Sequence, residues 1–301
     1  MFDISFYPKD ASYGDAFEEV RLSLRNQNEM LKHLHYHWSR WEWMFARASF
    51  EEADLQNIVM FKKDKELKGL ITFEDELGVY FLIYEDDLSL KKTMIDHIKK
   101  NSFLKNLIIP DDEEMIKLLS DEGFKMTDWK DPVARFSLDC VDVETVSGYD
   151  FVTLEEDYRL EEIHRVLWRG FNHGDDVVMS EKNLKERHHM TSSPHFRKAY
   201  THVAKYQNHF VSYVGVWYEK GTKTALIEPV ATVPEHRRKG LAKALIYKAI
   251  KRVKQDGASD VFVGSDRTFY QNMGFIPFAY GIQMKKTEHE NPKIQLIESK
   301  Q

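Results

Sequence analysis

The segment running from Glu228 through Pro229, Val230, Ala231 and Thr232 to the basic stretch Arg237, Arg238, Lys239, Gly240, Leu241 and Ala242 concentrates residue types suited to holding a polyanion. Pro234 cannot donate to a sheet ladder, so a strand must end there. A short basic loop follows, and a helix begins near Leu241. Gly240 permits a close backbone approach and unusual dihedrals. The backbone N–H groups of a helix start have no partner within the helix and can point at an anion. Arg237, Arg238 and Lys239 add charge that pairs with phosphate oxygens. Together these features describe a cradle for a pyrophosphate. A solvated basic turn ahead of an amphipathic helix, with Leu241, Leu245, Ala249 and Val253 on one stripe, is the plainer account of the same residues.

Alternating strand and helix patterns supply the frame for this loop and favour an α/β or α+β fold. The first half reads as a helix over Gly14–Tyr36, strands near Ile58–Lys62, Gly69–Phe73 and Val79–Tyr84, and a helix Leu88–Lys100. A strand Asn106–Ile109 and a helix Asp112–Glu122 complete it, stopped by Gly123. The second half repeats the order. It reads as strand Phe151–Leu154, helices Tyr158–Trp168 and Ser180–Arg187, and strands near His202–Tyr206, Phe210–Tyr218 and Thr224–Thr232. Then come helix Leu241–Asp256 ending at Gly257, strand Asp260–Val263 and helix Arg267–Met273 closed by Gly274. Laid on each other, Glu122-Gly123-Phe124 falls on Met273-Gly274-Phe275, which reads as a duplicated domain. The expected organisation is a first domain over 1–146, a second over 147–288 and a tail over 289–301, with Ser147–Asp150 as the linker.

On these residues the sequence resembles the GNAT superfamily of N-acetyltransferases. The family signature Arg/Gln-x-x-Gly-x-Gly/Ala is matched by Arg237-x-x-Gly240-x-Ala242. A second, Tyr-x-x-x-Gly-Phe, is matched by Tyr270 with Gly274 and Phe275, at the spacing a helix–strand–helix connection requires. The resemblance implies two GNAT-like acyl-CoA N-acyltransferase domains in tandem. Each would be a mixed, mostly antiparallel twisted sheet flanked by helices. It implies that two parallel strands splay apart to admit the pantetheine arm of acetyl-CoA along Val230, Ala231 and Thr232. Backbone amides from Arg238 to Ala242 would hold the pyrophosphate. Tyr270 would be the general acid for the departing thiolate, and a phenol can serve there. Glu228 would be the general base, set against an ordinary strand-surface glutamate. A backbone N–H near a bulge at Val230 would stabilise the oxyanion. Many members carry an Asn after the fifth strand, where Ser265 and Asp266 stand here, and Ser265 is the substitute hydrogen-bonding group.

The implied activity is acetyl transfer from acetyl-CoA to an amine of a small molecule or peptide, with a non-catalytic acyl-CoA-binding regulator as the rival. In the first half the phosphate loop is replaced by Glu85, Asp86 and Asp87, and Leu119 falls on the tyrosine position. That copy is expected to have kept the fold and lost the cofactor site. The aromatic run Trp38 to Trp43 reads equally as a lining of the acceptor pocket or as inter-domain core. Trp168 to His173 is a weaker candidate for the acceptor site.

Composition limits the rest. With 301 residues the chain suits two domains, and its net charge of −6 argues against a nucleic-acid partner. Its single cysteine, Cys140, rules out an intramolecular disulfide and reads as a small buried hydrophobe. The first residues lack the pattern of a signal peptide, and no apolar run is long enough for a bilayer. A cytoplasmic protein without membrane contact is the expectation. The histidines, including His33, His35, His37, His188, His189 and His195, lack metal-ligand spacing, so no metal is expected. Edge strands of this fold pair between copies in some proteins, which leaves a homodimer open.

Overall fold

The computed structural model describes residues 1–9, 13–47, 50–74, 77–137 and 145–287. Cys140 and the tail 289–301 lie outside the described residues. The first half contains β1 (Asp3–Phe6), α1 (Asp15–Glu29), α2 (Trp38–Ala46), β2 (Val59–Lys63), β3 (Glu66–Thr72), β4 (Tyr80–Tyr84), α3 (Leu88–Lys100), β5 (Asn106–Pro110), α4 (Glu113–Asp121) and β6 (Phe124–Phe136). The second contains β7 (Asp150–Thr153), α5 (Leu160–Gly170), α6 (Glu181–Ser192), β8 (His202–Tyr206), β9 (His209–Tyr218), β10 (Thr224–Thr232), α7 (Leu241–Gln255), β11 (Asp260–Val263), α8 (Thr268–Gln271) and β12 (Phe275–Lys286).

Local chemistry accounts for most boundaries. The Asp87 carboxylate accepts from Ser89 N and Leu90 N at the start of α3, and Asp112 accepts from Glu114 N and Met115 N at α4. Leu90, Met94 and Ile98 then recur on the buried face of α3. The helix expected to reach Tyr36 stops at Glu29, because Leu31 and His33 take left-handed φ values of 59° and 51°. Only a short 3-10 turn, Leu34–Tyr36, continues it.

All the strands join one twelve-stranded sheet in the order β1-β2-β3-β4-β5-β12-β6-β11-β10-β9-β8-β7. The pairs β4–β5 and β10–β11 are parallel and the other pairings antiparallel. The centre of the sheet carries an exchange. β12, last in the chain, pairs with β5 of the first half from Gly281↔Pro110 to Lys285↔Asn106. β6 of the first half pairs with β11 of the second through Phe262↔Arg135 and Val263↔Ala134. The two exchanged strands lie against each other from Phe275↔Phe136 to Lys286↔Phe124.

The cores follow the exchange. Ile282 and Met284 of β12, with Trp217, Leu226 and Phe262, pack into the core built mainly by the first half. Ala46, Ala134 and Phe136 pack into that of the second. β6 and β12 were absent from the sequence-based expectation because Pro132 and Pro277 interrupt them. β12 also breaks its alternation at two register shifts.

Candidate functional site

The parallel pairing of β10 with β11 runs only from Thr224↔Asp260 to Ile227↔Val263. There β11 ends, while β10 continues to Thr232 paired with β9 alone. The register of β10 on β9 shifts between Ile227 and Val230, so Glu228 and Pro229 form a bulge. Gly215 of β9 makes room for it: a Cβ there would lie 2.5 Å from Glu228 O and 3.0 Å from Pro229 Cδ. Beyond the bulge one side of β10, along Val230, Ala231 and Thr232, faces a cleft instead of a strand.

The loop after β10 makes one 3-10 turn, Pro234–His236, and then takes left-handed φ at Arg238 (58°) and Gly240 (82°). Arg237 braces it. Its Nε donates to Thr232 O at 2.9 Å, and its Nη2 donates to Gly170 O at 3.0 Å and Asn172 Oδ1 at 2.7 Å. Its guanidinium is thus engaged by protein oxygens; Arg238 and Lys239 are exposed beside it, Lys239 Nζ lying 3.3 Å from the Tyr149 hydroxyl. The first bond of α7 at its N-terminal end is Ala244 N to Gly240 O. Among the described residues, the N–H groups from Arg238 to Lys243 meet no protein acceptor, so they form an open row at a helix N-terminus.

Two chambers open on these elements. One of about 650 Å³ is lined by Arg238 and Gly240–Lys243 of the open loop, with Lys239 outside its lining, by Val230–Thr232, and by Gly170, Phe171 and Asn172 at the end of α5. A second of about 360 Å³ is lined by Glu228, Pro229, Ser265 and Asp266, and by Pro132 of β6. Phe171, Val230, Arg267 and Tyr270 border both. Tyr270 therefore stands at their junction, its ring against Phe269 and Phe275 with centroids 5.0 and 5.8 Å apart. Burial, and then the charge of Glu228, push its phenol up to about 12, so it is protonated throughout the neutral range. Ser265 lies in the smaller chamber with Glu228, and of the other residues assigned to cofactor binding only Val230 reaches that chamber.

Residues 160–275 match the model of the Acetyltransferase (GNAT) family. They form a GNAT acetyltransferase domain. Known structures extend the fold to both halves. A GCN5-related N-acetyltransferase from Sphaerobacter thermophilus matches with a TM-score of 0.57 at 11% identity over 95% of each chain. A tandem GNAT protein from the clavulanic acid biosynthesis pathway matches with a TM-score of 0.60 at 11% identity, over 95% of this chain and 99% of that one. At that identity the likeness is one of fold. No curated protein matches the sequence.

The GNAT-like first half closes the features that the second leaves open. The start of α3 is occupied by its own Asp87 carboxylate, where α7 presents free N–H groups. The acidic loop is neutralised from within, Lys91 Nζ lying 2.7 Å from Asp86, 2.8 Å from Asp112 and 3.0 Å from Glu114. The edge of β4 is plugged by imidazoles. His33 Nε2 is 2.6 Å from Tyr84 O, and the buried His35 ring faces the Leu82 backbone. From sequence both histidines are weighed only as metal ligands, because it is a loop with left-handed turns that brings them to β4.

Burial lowers His33 to about 4 and His37 to about 3, and holds His35 well below its ordinary value. An unfolded chain takes up these protons near pH 6.5, and the folded chain does not until well below that. The folded state therefore binds fewer protons in this window, and its stability falls as pH drops from about 6.5 toward 4. Thermal melts across that range should show a declining Tm; a flat Tm would mean the rings are not held neutral.

The aromatic run packs into core rather than lining either chamber. Trp41 meets Tyr7, Phe17 and Phe45, while Trp38 meets Trp217 and His195 of the GNAT domain edge-on. Both are fully buried. Next to Trp41 in sequence, Glu42 accepts from His195 N at 2.6 Å and lies 2.7 Å from His195 Nδ1, a second tie across the halves. Of Trp168–His173, it is Gly170, Phe171 and Asn172 that reach the larger chamber.

Proposed function

We propose that the chain is an N-acetyltransferase that moves the acetyl group of acetyl-CoA directly to a primary amine of a small molecule or peptide. One observation carries the reading: an open row of helix N-terminal amides shares one cleft with the unpaired edge of β10, and Tyr270 stands on its border. A pyrophosphate suits the first element, an extended amide-bearing arm the second, and a thioester the third. Val230, Ala231 and Thr232 supply the strand edge, and Arg238 through Ala242 the anion cradle. Arg237 holds the cradle to α5, and Lys239 adds charge at its rim. Ser265 belongs to the acceptor chamber.

Glu228 takes the proton that an ammonium acceptor must lose before its nitrogen attacks the thioester carbonyl. The C–N bond forms to give a tetrahedral oxyanion, its collapse breaks the C–S bond, and the Tyr270 hydroxyl gives its proton to the departing thiolate. A backbone N–H near Val230, beside the bulge, would stabilise the oxyanion. The first half forms part of the acceptor wall through Pro132 and holds no second cofactor.

Calorimetric titration with acetyl-CoA tests this. We expect one site per chain, with affinity weakened about 100-fold in an Arg238→Ala, Gly240→Trp variant, since charge-assisted bonds are lost and a side chain is forced to a left-handed φ. Thiol release in the presence of an amine panel then separates an enzyme from a module that only binds. Two sites per chain, or affinity untouched in the variant, would move the cofactor elsewhere.

A further inference from the structure

We propose that Arg40, a residue of the first half, is a positioning residue for the chemistry of the second, its partly buried guanidinium lying behind Gly264 and favouring the ionised form of Glu228. The inference deepens the proposed function, which is what gives Glu228 a task.

Arg40 sits on α2, far in sequence from the cleft, yet its side chain is only 13% exposed and points into the centre of the sheet. Its Nη1 donates to His35 O at 2.8 Å and to Asp131 Oδ2 at 2.5 Å, and Nη2 donates to Asp131 Oδ1 at 3.3 Å. Glu74 Oε2 is 3.6 Å away. On the other side Nη2 presses on the turn after β11, lying 3.3 Å from where a Cβ on Gly264 would stand. Gly264 lines the smaller chamber beside Glu228, and the residues just before the two, Val263 and Ile227, are paired in the sheet. The guanidinium is fixed on its far side by Asp131 of the exchanged strand β6, with which it lines a neighbouring cavity, so its place behind Gly264 is built in.

The electrostatics agree with that placement. The Glu228 carboxylate acts on Arg40 to hold its proton and on Tyr270 to raise its phenol, so it lies within reach of both. The other groups facing this cluster are Glu74 after β3, Asp131 on β6, and Asp266 and Arg267 before α8. His35 and His37 also face it, each lowered by burial and further by Arg40. Arg40 thus stands among Glu74, Asp131 and Glu228. Without it, the positive charge that opposes Glu228 from behind Gly264 would be lost, and the proton affinity of Glu228 would rise.

The test reads Glu228 itself in the full-length chain, without cofactor or acceptor. Glutamate is labelled at the side-chain carboxyl carbon, the Glu228 resonance is assigned by its loss in Glu228→Gln, and its titration midpoint is followed by NMR. We expect Arg40→Met to raise the midpoint by about one pH unit or more, and Arg40→Lys, which keeps the charge, to return most of that shift. Asp131→Asn removes a competing carboxylate but keeps an acceptor for Arg40, and should move the midpoint down. If Arg40→Met does not fold, the Asp131→Asn shift decides. A Glu228 midpoint unmoved by Asp131→Asn, and by Arg40→Met where that variant folds, would overturn the proposal. Because nothing here depends on acetyl-CoA, failure of the acetyl-transfer reading would appear separately, in the calorimetry.

Discussion

Replacing Tyr270 by Phe should lower turnover about 100-fold while leaving affinity for acetyl-CoA within about twofold, the low end of what a positioned general acid contributes. The argument starts from position. Tyr270 borders both chambers, and its hydroxyl is the only part that Phe lacks. The ring contacts with Phe269 and Phe275 survive the change, so fold and cofactor cleft are retained. A phenol pushed up to about 12 arrives at the reaction protonated, the state an acid needs. Measuring kcat alongside a calorimetric Kd separates the roles. Turnover within about threefold of the parent would take the tyrosine out of the mechanism, whereas a matching loss of affinity would make it a binding residue.

The second large effect is on the whole fold. If the chain is expressed as two pieces, 1–146 and 147–301, neither is expected to fold alone, and mixing them should restore a single cooperative unit. The first piece loses β12, which leaves β5 without a partner on that side and removes Ile282 and Met284 from its core. The second loses β6, which bares β11 and deletes Ala134 and Phe136 from its core. Truncating a single buried Ile, Met or Phe costs about 2–5 kcal/mol, against about 5–15 kcal/mol for a domain. Urea unfolding followed by near-ultraviolet dichroism gives the readout. The intact chain should show one transition, and a sigmoidal transition from either piece by itself would contradict the interdependence of the halves.

How much of this was legible beforehand depended on how local the cause was. The turn at Gly240 and the helix end at Gly274 each rest on a few adjacent residues, and the sequence motifs found them. The strands His202–Tyr206, Thr224–Thr232 and Asp260–Val263, and the helix Leu88–Lys100, appear with the boundaries their patterns imply. What escaped depends on residues distant in the chain. β6 and β12 look like irregular, proline-broken segments until each is seen between strands of both halves. Arg40 reads as a polar position in an aromatic run, and only the folded chain brings it to Gly264 and Asp131. The imidazole plug of the first half escaped for the same reason: two left-handed residues, Leu31 and His33, turn what reads as helix into a hook.

The exchange at the sheet centre also sets an order of events during synthesis. Asn106 waits for Lys285, and Pro110 for Gly281, before β5 gains its second neighbour. Residues as far as Lys285 must leave the ribosome before the half made first can close, so its folding waits on synthesis of the second half. Pairings of such long sequence separation also carry a high contact order and fold slowly. Throughout that interval β5 presents an apolar, unpaired edge, its residues Leu107, Ile108 and Ile109 all destined for burial. The nascent first half is therefore the stage at which this protein is most exposed to aggregation, and the most useful point for a chaperone to hold it.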